Sequence, residues 1–204
     1  MNKREHWDNV YTSKRRDEVS WFREHLDTSL EMILKTGVTK DAAIIDVGGG
    51  NSTLVDDLID NGFVHLTVLD ISKAAIETSR GRSGSKSLGV DWIVSDITEA
   101  VFPNEKFDVW HDRAVFHFLT DADDRHKYVK TVRKSVGPGG HVIVAAFSLD
   151  GPLKCSGLEV VRYSPASMLN EFGDEFRLIE SISEIHETPF KTTQDFVYCH
   201  FRKQ

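Results

Sequence analysis

A chain of 204 residues, 40% hydrophobic and 28% charged, suits one α/β domain with a full core and leaves little room for a second one. A formal net charge of −7 speaks against a broad nucleic-acid footprint, and no apolar run approaches the roughly 20 residues of a membrane span. Two cysteines, Cys155 and Cys199, make neither a disulfide framework nor a zinc pattern.

The first 18 residues are polar, with Trp7 and Tyr11 as aromatic punctuation. They hold no apolar signal core, so the expected location is the cytoplasm. The basic run Lys14-Arg15-Arg16 reads as a solvated face. From Val19 to Lys35 the residues Phe22, Leu26, Leu30, Ile33 and Leu34 recur at spacings of three and four, which predicts an amphipathic helix stopped by Gly37.

Ala42–Val47 is the first strand, and Ser52–Asp60 reads as the helix behind it. Val64–Leu69 is the second strand, closing on Asp70, and Ser72 is the N-cap of the next helix. Short strands follow at Asp91–Ser95 and Phe107–Asp112, then a helix over Asp121–Val136 with Tyr128, Val129 and Val132 turned inward. Gly137-Pro138-Gly139-Gly140 is a turn, and His141–Phe147 is the most apolar strand. Alternating strands and helices predict a parallel sheet covered on both faces. A helix from Ser164-Pro165-Ala166 to Phe172 comes next. Phe176–Ile185 and Gln194–Phe201 are too close in sequence for a helical crossover, so they are expected to pair antiparallel.

The chemistry concentrates where strands end. Gly48-Gly49-Gly50 follows the first strand, so the backbone there can turn tightly and approach a ligand. Thr53 stands where a dinucleotide fingerprint carries its third glycine, which weakens a nicotinamide or flavin reading. Asp70 can accept hydrogen bonds from both hydroxyls of an adenosine ribose. Asp96, followed by Ile97, ends the third strand and can bind an adenine amino group. Asp46 sits inside an apolar strand and needs partners there, either local amides or the ammonium of an amino-acid cofactor.

Taken together, Ile45-Asp46-Val47-Gly48-Gly49-Gly50, Leu69-Asp70-Ile71-Ser72, Ser95-Asp96-Ile97, Phe107-Asp108-Val109 and Gly137-Pro138-Gly139-Gly140-His141-Val142-Ile143 resemble, in order and spacing, the class I S-adenosylmethionine-dependent methyltransferases. The resemblance implies an α/β fold with a doubly wound, mostly parallel seven-stranded sheet of order 3-2-1-4-5-7-6, strand 7 antiparallel. It also implies S-adenosyl-L-methionine as cofactor. Trp7-Asp8-Asn9-Val10-Tyr11 and Val19-Ser20-Trp21-Phe22 look like the entry segment of small-molecule methyltransferases of the thiopurine and tellurite-resistance type. On that likeness residues 1–38 form an N-terminal helical lid on a single domain spanning 1–204.

The cofactor-binding residues the resemblance implies are Trp7, Tyr11, Trp21, Asp46, Gly48, Gly49, Gly50, Asp70, Ile71, Asp96, Ile97, Asp112 and Arg113. His111, Asp112 and His117 are the catalytic candidates, because they follow the fourth strand and a histidine can take a substrate proton near neutrality. His111 and His117 lack the helical spacing of a metal pair, so no metal is expected. The expected reaction is in-line methyl transfer to a sulfur, oxygen, nitrogen or selenium atom of a small molecule. A protein lysine is the alternative acceptor; an NAD-dependent oxidoreductase and a non-catalytic adenosyl-ligand module are the alternative functions. Neither a nucleic acid nor a membrane is expected as partner.

Overall fold

Apolar residues on alternate sides of the central strands build two cores, one on each face of a sheet. Val142, Val144 and Ala146 face one core, where they meet Tyr128, Val129 and Val132. Ile143, Ala145 and Phe147 face the other, where they meet Ile33, Leu54 and Leu58. Strands buried on both faces read as continuous apolar runs, and His141–Phe147 does so.

The computed structural model describes residues 2–204. Numbering only the strands of the main sheet, β1 is Ala43–Val47, β2 His65–Asp70, β3 Asp91–Val94, β4 Phe107–Arg113, β5 Val136–Phe147, β6 Phe176–Glu187 and β7 Thr193–Lys203. Their order is 3-2-1-4-5-7-6. The first five are parallel, and β7 runs antiparallel between β5 and β6. The helices are α1 Lys3–Ser13, α2 Asp27–Lys35, α3 Leu54–Asp60, α4 Lys73–Ser83, α5 Ala122–Ser135 and α6 Pro165–Phe172. The strand order reverses between β1 and β4, and ligands of open α/β sheets gather at that point.

Two local expectations need correction, and one element was unforeseen. Val19–Leu26 is not helical; only Asp27–Lys35 is. The carbonyls of Ser20, Trp21 and Glu24 accept hydrogen bonds from His186, Arg113 and Thr53 side chains, which replace the amides of a helix. These residues form an irregular strap that opens with a turn, the Phe22 amide donating to the Val19 carbonyl at 3.2 Å. The Gly137–Gly140 turn is a bulge inside β5: Phe107 pairs with Val136 and Val109 with His141, so four residues loop out beside Asp108. A two-stranded ribbon, Lys154–Cys155 with Leu158–Glu159, also follows β5 without warning in the sequence. Among the described residues no helix is long and apolar enough to cross a membrane.

Candidate active site

The glycine loop leaves β1 with a geometry that side chains would block. Gly48 has φ +69, and a Cβ on it would lie 2.0 Å from Val115 Cγ2. Gly50 has φ +45, and its Cβ would meet Tyr11 Oη at 2.7 Å and Asp70 Oδ2 at 3.0 Å. The outer side of the loop is pinned by α4: Ser79 Oγ donates to the Gly50 carbonyl at 2.6 Å, and Arg82 Nη1 to Asn51 Oδ1 at 2.9 Å. Ser79 and Arg82 carry no local pattern that marks them, because their partners lie about thirty residues away in sequence.

Beside the loop runs a cleft of about 870 Å³, open solvent at its mouth included. Such a volume lies in the range of small-molecule sites, roughly 300–1,000 Å³. The structure brings Trp7, Tyr11, Trp21, Gly48, Asp70, Ile71, Asp96, Ile97 and Arg113 to its walls. Sequence reading missed Lys3, Val115, Phe118, Leu119 and Phe196, which line it as well. A second lobe of about 620 Å³ shares Tyr11, Trp21, Gly48 and Arg113 with the first. Its floor holds Asp46, Gly49 and His111, and its rim holds Lys14, Arg15, Arg16 and Arg23. The basic run read as a solvated face therefore borders a cavity.

Asp70 is buried at the end of β2 and accepts the Ser72 amide at 2.8 Å. Burial raises its pKa to about 7; the Ser72 and Gly50 amides oppose that, and Asp46 and Asp8 add to it. Ser72 caps α4 and donates from its hydroxyl to Asp8 Oδ1 at 2.6 Å, which ties α1 to α4. Asp96 Oδ1 accepts from Thr98 N and Oγ1 at 2.9 and 2.8 Å, so one carboxylate oxygen shapes the turn while the residue faces the cleft. Four of the rings that wall the cleft cluster together: Trp7 stands 5.6 Å from Trp21 and 5.1 Å from Phe118, and Tyr11 stands 6.3 Å from Trp21.

The polar candidates after β4 separate. His111 pairs in register with Asp46, and its Nδ1 lies 2.7 Å from Asp46 Oδ1; its Nε2 is buried without a partner. Asp112 points to the opposite face of the sheet and lines neither lobe. It accepts from Tyr128 Oη at 2.7 Å and from the Val115 and Phe116 amides at 2.8 and 3.1 Å. Burial pushes its pKa up to about 6, against those hydrogen bonds. This geometry makes Asp112 the cap of the turn after β4, at odds with a place against cofactor or substrate.

His117 is also away from both lobes. It is buried between Phe118 and Phe147, and its Nδ1 accepts the Phe147 amide at 3.3 Å. Burial and then the Arg113 charge push it down to about 3, so it is a neutral core histidine. Arg113 lines both lobes; its Nε donates to Tyr198 Oη at 2.9 Å and its Nη1 to the Trp21 carbonyl at 3.3 Å, while Nη2 is buried without a hydrogen-bond partner. Cys155 borders the cleft with its thiol pushed up to about 12 by burial, which leaves it unreactive at neutral pH. Among the described residues no three His, Cys, Asp or Glu side chains form a group that could hold a metal ion.

A family model described as "Methyltransferase domain" matches residues 45–144, the span from the middle of β1 to the last third of β5. The chain is an S-adenosylmethionine-dependent methyltransferase, and its sheet has the strand order expected of class I. The methyltransferase is 28% identical over 162 residues to "EEF1A lysine methyltransferase 2" of Danio rerio, covering 72% of this chain and 69% of that protein. It is 24% identical over 200 residues to the protein of the same name from Homo sapiens, covering 89% and 77%. In fold it is similar to a protein solved in a study of the conversion of a disulfide bond into a thioacetal group during echinomycin biosynthesis, with a TM-score of 0.79 and 18% identity over 98% and 91% of the two chains. The oxidoreductase alternative falls with the family match.

The residues present fit S-adenosyl-L-methionine. Gly48 borders both lobes with no side chain to fill them, and the buried carboxylate of Asp70 lines the first. Ile71 and Ile97 give an apolar border, and the aromatic wall suits a sulfonium cation.

Proposed function

We propose that this methyltransferase acts on a lysine side chain of a protein. The observation that carries the reading is that both curated relatives named above are lysine methyltransferases of eEF1A and align over most of their own length. The aromatic wall adds to it, since ring faces attract an ammonium as they do a sulfonium. The small-molecule acceptor expected from the compact chain finds no support among these relatives.

S-adenosylmethionine, when bound, supplies an electrophilic methyl group on sulfur. In this reading Asp70 accepts from the ribose hydroxyls, Asp96 holds the adenine amino group, and Ile71 and Ile97 flank the ring. Gly48–Gly50 lie under the methionine portion. Asp46, backed by His111, faces its ammonium from the floor of the second lobe, and the basic rim faces its carboxylate. Trp7, Tyr11, Trp21 and Phe118 surround the reacting end and exclude water. The whole chain acts as one domain, with α1 and the strap as its roof.

Positioning carries most of the chemistry, because holding two reactants about 3–3.5 Å apart removes much of the entropic barrier. No side chain has to serve as nucleophile. The test is a transfer assay with methyl-labelled S-adenosylmethionine. One arm offers eEF1A or its counterpart from the source cell, the other a panel of thiols, selenols, phenols and amines. Label recovered as N-methyl-lysine after hydrolysis is the expected result. Label confined to the small acceptors would overturn the lysine reading and leave the methyltransferase intact.

A further inference from the structure

The strap over residues 19–26 brings Trp21 to the cleft, yet its backbone is gripped from the far edge of the sheet. His186, near the end of β6, is fully buried, and its Nε2–H donates to the Ser20 carbonyl at 2.7 Å. Gln194 pairs with His186 across the β6–β7 hairpin and donates from Nε2 to Ser20 Oγ at 3.2 Å. One residue further along the strap, Arg113 of β4 donates to the Trp21 carbonyl at 3.3 Å. Three strands thus hold two successive strap residues. His186 lines neither lobe of the cleft, so it has no direct route to a ligand.

The His186 ring is suited to this one task. Its Nδ1 is buried without a partner. Burial lowers its pKa, the Ser20 hydrogen bond opposes that, and the Arg113 and Arg23 charges lower it further. The neutral ring with its proton on Nε2 is the form that can donate to a carbonyl. A carbonyl that lost this donor would be left buried and unpaired, and the strap would shift to find another. Trp21, next in the chain, would move with it.

We propose that His186 is a positioning residue for the cofactor cleft: by holding the Ser20 carbonyl it sets the place of the Trp21 ring. The proposal rests on the reading of the cleft as the S-adenosylmethionine site. It predicts that His186 and Trp21 act on ligand affinity as one unit, whereas a residue that merely stabilises the fold would act independently of Trp21.

The experiment is calorimetry of S-adenosylhomocysteine with the purified full chain. His186→Leu, which has no donor, should weaken binding by about five- to twentyfold, the usual scale for one lost buried hydrogen bond. His186→Gln, whose amide nitrogen can reach the same carbonyl, should recover most of that loss. In a Trp21→Ala background, His186→Leu should cost no more than about twofold further. Should His186→Leu fail to fold, His186→Asn, with a shorter amide, takes its place with the same expectations. Wild-type binding with an unaffected His186 variant, or additive losses with Trp21→Ala, would overturn the proposal alone. A wild-type protein that ignores S-adenosylhomocysteine would overturn the cleft reading and the proposal with it.

Discussion

The floor and the roof of the cleft are built by different physics. Gly48–Gly50, Asp70 and Asp96 form the floor, and each sits at the end of a strand whose place is set by sheet pairing. Trp7, Tyr11 and Trp21 form the roof, and no regular backbone pairing holds them there. Separate side chains do so: Asp8 against Ser72 and Ala74, Lys3 against Asp124, and His186 and Arg113 against the strap carbonyls. A floor of this kind is rigid and intolerant. A roof fastened at several points can lose any one fastener and stay closed most of the time. It can also open, which a buried cofactor requires for entry.

The largest effect should therefore come from the floor. Gly48→Val places a branched side chain at φ +69, with its Cβ 2.0 Å from Val115 Cγ2. Left-handed strain and overpacking each cost on the order of 1–3 kcal/mol. S-adenosylhomocysteine affinity, read by calorimetry, should fall by about 100-fold or more. A loss under about tenfold would mean that the loop re-forms around the side chain, and the contrast between a rigid floor and an adaptable roof would fail.

Asp70 sharpens the contrast by separating stability from binding. Its folded pKa of about 7 lies above the ordinary aspartate value of 3.8, so the folded protein holds this proton more tightly than the unfolded chain does. The stability this group contributes is present below about pH 4 and is lost as pH rises to about 7. The gap corresponds to on the order of 4 kcal/mol as an upper bound. Asp112, at about 6, contributes a slope of the same sign from the opposite face of the sheet, so only the difference between wild type and an Asp70 variant isolates Asp70. At pH 8 ligand-free Asp70→Asn should melt above wild type. Its affinity for S-adenosylhomocysteine should be about tenfold lower, because a carboxylate is the stronger acceptor for two hydroxyls. Wild-type affinity should rise with pH up to about 7 and then level, and the Asn variant should lack that dependence. Equal affinity in the two proteins would remove Asp70 from the ribose.

The floor was legible in the sequence and most of the roof was not, for the same physical reason. Apolar runs that end on Gly48 or Asp70 report a local event, a buried strand meeting a ligand edge. Asp112 misled because it follows His111 directly, and a strand sends successive side chains to opposite faces. There Tyr128 receives it, a partner that proximity to the cleft could not reveal. His117 misled in the same way, since its burial against Phe147 depends on a strand thirty residues on. The strap was missed because Phe22 and Leu26 satisfy a helical period equally well when they are pinned in an irregular chain. The decisive hydrogen bond, His186 to Ser20, spans a sequence separation of 166 residues. Nothing local in Val19–Leu26 encodes it.

The smallest effect should come from the fastener at the open end of α1. Lys3 Nζ lies 2.9 Å from Asp124 Oδ2 and bridges α1 to α5 across the cleft, but the Lys3 side chain is half exposed and Asp124 also has Lys127 at 3.2 Å. Exposed pairs of this kind contribute about 0–1 kcal/mol and are screened by salt. Asp8, by contrast, meets Ser72 and Ala74 from the middle of the same helix, and that tie is untouched by the change. Lys3→Ala should therefore raise the dissociation constant of S-adenosylhomocysteine by less than about fivefold at low salt. The difference from wild type should shrink toward nothing at about 0.5 M salt. A loss above tenfold that persists in high salt would make this one ion pair the latch of the roof. The roof would then be a hinged lid with a single catch, and its other contacts would be secondary to it.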